Sequence, residues 1–102
     1  PSFHISIVRD ISPNCDCHAE NDAPIVPDVG MFASFDPVAL DVACADAVNR
    51  QPVLPHSQLG ETAHATMMTT TIVHPDTDWR SAIAHGVKIG LGNEQYELIT
   101  VK

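Results

Sequence analysis

The segment Cys15-Asp16-Cys17-His18 carries the softest donor atoms in this 102-residue chain. If residue 16 is extended, alternate residues share a face and both sulfurs project to one side. Two thiolates beside an imidazole suit Zn²⁺, Fe²⁺ or Cu⁺, so Cys15, Cys17 and His18 are the candidate metal ligands. Zinc and iron–sulfur sites use C-x₂-C more often, and a tetrahedral site needs further ligands. A disulfide between Cys15 and Cys17 would close a strained, easily reduced loop. Two thiols can also line a turn without holding anything. The total of three cysteines is odd and too small for a disulfide framework, which points to free thiols in a reducing, cytoplasmic compartment.

The acids around this segment are unevenly placed. From Asp10 to Asn49 there are eight carboxylates and no Lys or Arg. Such a run repels itself unless it is spread over solvent or neutralised by a cation. A solvated face, a metal site and a docking face for a basic partner all fit. Asp36 and Asp41 are the supporting candidates at the site's edge. Asp36 already has a structural explanation as a helix cap, whereas Asp41 borders an apolar stripe and wants a partner. Cys44 lies on that stripe and reads as a small core residue. The six histidines show no i, i+4 metal pair; His64 and His74 could meet the cysteine pair only through the fold. No phosphate loop, nucleophile elbow, H-E-x-x-H motif or ferredoxin cysteine run occurs. An enzyme working through Asp41 or His74 therefore has no substrate to name, and the enzymatic question stays open.

The elements that would position these groups follow from periodicity. Phe3, Ile5 and Ile7 alternate with His4, Ser6 and Val8, the pattern of a half-buried strand ended by Ser12-Pro13-Asn14. Residues 14–28 read as irregular. Val29 to Ala33 is an unalternating apolar run, the signature of a strand covered on both faces. Asp36 followed by Pro37 announces a helix to Asn49, with Leu40, Ala43, Cys44, Ala47 and Val48 on one stripe. Residues 51–75 are ambiguous, although 66–73 has the β-branched content of a strand. A second helix follows a cap at Asp76, Thr77 or Asp78. Its buried face holds Trp79, Ala82, Ile83, Gly86 and Ile89 or Gly90, and Gly90 and Gly92 mark its end. Residues 96–101 close the chain as a strand. The expected fold is α/β or α+β, with a small sheet of three or more strands and two main helices, as part of a larger fold.

Composition bounds the partners. Thirteen acids against five bases give a net charge of −8, which disfavours nucleic acid and anionic lipid. No apolar run reaches the roughly 18 residues of a membrane helix, so no membrane partner is expected. An apolar content of 44% fits a single soluble domain. Pro1 stands where a starting Met is expected, so residues 1–102 read as one domain or as the C-terminal fragment of a longer chain. A homo-oligomer is a further arrangement left open.

The stretches P-N-C-D-C-H at 13–18, N-D-A-P-I-V-P-D-V-G at 21–30 and A-S-F-D-P-V-A-L-D at 33–41 resemble the C-terminal region of the DUF 362 family. D-W-R at 78–80 and K-I-G-L-G at 88–92 look similar too. The resemblance implies iron–sulfur chemistry in the parent protein, with a cluster or Zn/Fe as its cofactor. It also implies the rest of the parent chain, and a redox protein, as partners. By position it transfers Cys15, Cys17, Asp36 and Asp41. The leading expectation is a metal- or redox-linked domain of an iron–sulfur protein. The alternative is a structural α/β module that completes the parent fold or docks a partner, without chemistry of its own.

Overall fold

A computed structural model describes residues 2–14, 19, 23–52, 54 and 78–101. Among them are strand β1 (His4–Val8), strand β2 (Gly30–Ser34), helix α1 (Pro37–Asn49) and helix α2 (Arg80–Lys88). The architecture is a small α+β fold. β1 and β2 pair antiparallel, with Ile5 opposite Ala33, Ser6 opposite Phe32 and Ile7 opposite Met31. The expectation of three or more strands is not met among the described residues. Residues 96–101 form no strand, and the strand-like stretch 66–73 lies outside the described residues, as do Asp76 and Thr77.

Helix α1 begins as its sequence dictates. Asp36 is extended and its side chain accepts from the amides of Val38 and Ala39, while Pro37 occupies the first turn without an N–H to satisfy. Val38, Ala39, Leu40, Val42, Ala43 and Ala47 are buried. One part of this surface meets the sheet. The other, formed by Val38 and Val42, packs on Ile83 of α2 with Trp79 alongside.

Helix α2 has no side-chain cap at Trp79, but Asp78 stands just before it and Oδ1 of Asp78 accepts from the Arg80 amide at 3.1 Å. Its end is a Schellman turn: the Gly90 amide bonds to the Val87 carbonyl and the Leu91 amide to the Gly86 carbonyl. Gly90 takes a φ of 78°, which a side chain would resist. Of the expected buried face only Ile83 and Gly86 are buried, and Trp79 is half-buried. Ala82, Ile89 and Gly90 are exposed; among the described residues, the packing of this nine-residue helix is against α1.

Among the described residues the sheet is covered on one face only, which corrects the expectation that β2 is covered on both. Val8 is buried, and Ser6 and Phe32 are half-buried on the face toward α1. Phe3, Ile5 and Ile7, the more apolar side of β1, are exposed. Met31 and Ala33 of β2 are exposed as well, so β2 is not covered on both faces. Helix α1 lies on the His4–Ser6–Val8 side, and among the described residues nothing lies on the other.

Candidate functional site

Three features converge around the sheet and α1. The first is the outer sheet face. The pairing register brings Ile5 opposite Ala33 and Ile7 opposite Met31, so on this face apolar side chains meet apolar side chains. The Phe3 and Phe35 rings stand 5.0 Å apart in a tilted arrangement. Ile7 is 67% exposed, Met31 70% and Phe35 75%. Single exposed apolar residues are ordinary on a protein surface, whereas a contiguous group of them marks an interaction surface.

The second feature is a groove of about 700 Å³ along the other side of β2. Residues 29–34 line one side and residues 96–101 the other, over a floor of Ala39, Leu40 and Ala43. The 96–101 side is anchored near its start. The Tyr96 hydroxyl donates to Oδ2 of Asp46 at 2.7 Å. That bond to the Asp46 carboxylate, followed by burial, raises the Tyr96 pKa, with Arg50 opposing.

The third feature is Asp36, whose carboxylate joins two distant segments. Oδ1 accepts from the Val38 amide at 3.0 Å and the Ala39 amide at 3.1 Å, and Oδ2 accepts from the Asn93 amide at 2.8 Å. The Ala39 amide, then the Asn93 amide, hold its pKa below the ordinary carboxylate value. Gly92 lets the chain come this close, since a Cβ there would collide with the Asp36 carboxylate. Asp36 is thus committed to structure.

The residues singled out from the sequence fall partly among the described residues and partly outside them. Cys15, Cys17 and His18 lie outside the described residues, as do His64 and His74. Asp41 is exposed on α1, so the partner expected for a carboxylate at a buried border is not needed. Cys44 is half-buried between α1 and the sheet, where burial first and the Asp41 charge second push its thiol pKa up against a hydrogen bond from Ser6. A thiol so placed stays protonated and is a poor ligand or nucleophile. Among the described residues no three His, Cys, Asp or Glu side chains are grouped as a metal site would require. No helix of the described residues is long and apolar enough to cross a membrane.

The outer face and the groove were missed by the functional reading, although their signal was present. The alternation of β1 identified Phe3, Ile5 and Ile7 as one face; aligning it with Met31, Ala33 and Phe35 would have shown a wholly apolar surface.

The fold is that of a small α+β domain. Residues 2–46 match the family model DUF362, described as a domain of unknown function. The match takes in β1, β2 and most of α1, together with Cys15, Cys17, His18, Asp36 and Asp41. The stretches at 78–80 and 88–92 fall outside it. No curated protein and no solved structure matches the chain.

Proposed function

We propose that the chain is a structural α+β module that completes a larger fold, its outer sheet face docking against the remainder of a parent chain. The observation that carries this reading is the apolar surface exposed on one side of the sheet, made by the pairs Ile5–Ala33 and Ile7–Met31 and the Phe3–Phe35 ring contact. Burying that face would supply the layer that a two-stranded sheet with one helix on it lacks.

The test is an Ile5→Lys/Ile7→Lys variant. It is expected to unfold at the same temperature as the wild type within about 2 °C, since neither side chain is packed. It is also expected to lose association with the parent remainder expressed separately. A fall in midpoint comparable to that of a core truncation would show that these side chains belong to the domain's own core, and would end the docking reading.

A second reading keeps Cys15, Cys17 and His18 as metal ligands, favoured by soft donors in a window of eight carboxylates without a base. A four-thiolate iron–sulfur cluster does not fit this chain alone: it has three cysteines, and Cys44 is engaged between helix and sheet. A mononuclear Zn²⁺ or Fe²⁺ held by the first two thiolates and His18 would need a fourth donor from elsewhere. Metal content of anaerobically prepared protein without a chelating tag, set against a Cys15→Ser/Cys17→Ser variant, decides. Equal, near-zero content in both rejects the ligand role.

A further inference from the structure

We propose that the groove between β2 and residues 96–101 receives an extended segment of another polypeptide as an added strand, apolar in its middle and basic at its flanks. The proposal rests on the docking reading above and adds a second surface with a partner chemistry of its own.

The argument begins with the backbone. Six consecutive residues, 29–34, line one side of the groove. Side chains of a strand alternate between faces, so an unbroken run lines a groove only along the strand's edge. Among the described residues β2 pairs with β1 alone, which leaves its second edge with a row of unbonded N–H and C=O groups. Residues 96–101 form an unbroken run on the opposite side, tethered to α1 through Tyr96 and, just upstream, through Asn93. The space lies between two stretches of backbone, and an added strand is the ligand that hydrogen-bonds to backbone along its length. An apolar small molecule would fill the volume and leave the edge amides unsatisfied.

The floor and the charge narrow the occupant. Ala39 and Ala43 are small and Leu40 is apolar, so the floor accepts branched apolar side chains. Glu97 is the one ionised side chain in the lining, and the only ion pair found among the described residues is Arg9 with Asp10. A basic residue flanking the inserted segment would meet that free carboxylate. A second copy of this chain is disfavoured, because two molecules of net charge −8 repel each other.

Fluorescein-labelled Lys-Val-Thr-Val-Ile-Val-Lys, titrated into the full chain by anisotropy, is the probe. Three comparisons accompany it: the same peptide N-methylated at alternate residues, a Glu-flanked version, and amide exchange across Gly30–Ser34. Saturable binding is expected, with added protection at Gly30–Ser34. Affinity should drop at least about tenfold on N-methylation, on exchange of Lys for Glu, and in a Leu98→Lys variant. Leu98 is half exposed, so that variant should fold. Binding should stay within about twofold in Ile7→Lys. No saturation up to about 1 mM, equal affinity of the N-methylated peptide, or unchanged exchange at Gly30–Ser34 overturns the proposal. Loss in Ile7→Lys with none in Leu98→Lys places the peptide on the outer face, which overturns the groove and leaves the docking reading standing. Failure of the docking reading shows separately, in the unfolding midpoint of the Ile5/Ile7 variant.

Discussion

The two faces of the sheet are built from the same two strands and treated oppositely. The inner face carries His4, Ser6, Val8, Phe32 and Ser34, and lies under α1. The outer face carries Phe3, Ile5, Ile7, Met31, Ala33 and Phe35, and lies open. The more apolar set is the uncovered one. A chain that folded only for itself would be expected to turn its larger apolar side chains inward, because burying each is worth about 1.5–3 kcal/mol. The helix instead covers the mixed face, with Ser6 and Cys44 half-buried there. The difference assigns the two faces different partners: α1 for one, and something beyond the described residues for the other.

Four substitutions or conditions would break or sharpen this contrast. The largest effect is expected in Leu40→Ala, which removes a buried side chain at the helix–sheet junction and should cost about 2–5 kcal/mol in urea unfolding. A loss under about 1 kcal/mol would mean that the inner face is hardly more packed than the outer. Next is Gly92→Ala, whose methyl group would force the Asp36 carboxylate aside; about 1–3 kcal/mol is expected, read from the same titration.

The third is acidification. The Asp36 pKa is depressed in the folded state, so its contribution is fully present above the ordinary carboxylate value and is lost as pH falls through the lower, folded value. Stability should therefore decline below about pH 4. In Asp36→Asn, which can still cap the helix but does not titrate, the decline should be shallower. Identical pH profiles would remove Asp36 from this account. The smallest effect belongs to the outer face: Ile7→Ser should change stability by no more than about 0.5 kcal/mol, against several times that for Leu40→Ala.

Helix α1 was legible because its start signals are local: Asp36 can reach the amides two and three residues ahead, and Pro37 needs no donor there. The end of α2 was legible for the same reason, as Gly90 alone adopts the required backbone turn. The strand character of 4–8 and 30–34 followed from residue type and alternation. Alternation says which residues share a face and is silent on which face is covered; Ile5 and Ile7 lie on the exposed one. Residues 96–101 have strand composition, yet strand structure needs a bonded neighbour, and across the groove β2 is not one. Asp41 was given a need it lacks because the buried face of α1 turns away from it, toward Val38, Ala39 and Val42, with Cys44 and Val48 only half-buried. The Cys15–His18 segment is where local spacing says least, since metal binding depends on donors brought from elsewhere in the chain.

Asp36 bears on how the molecule can be divided. Its carboxylate is bonded to an amide 57 positions further along, well past residue 46 where the family match stops. A piece trimmed to the matched stretch would end inside α1, strip Ile83 from Val38 and Val42, and leave Asp36 one donor short. The matched stretch therefore leaves out contacts that hold its own helix in place; any dissection that aims to keep its shape must carry the segment through Tyr96.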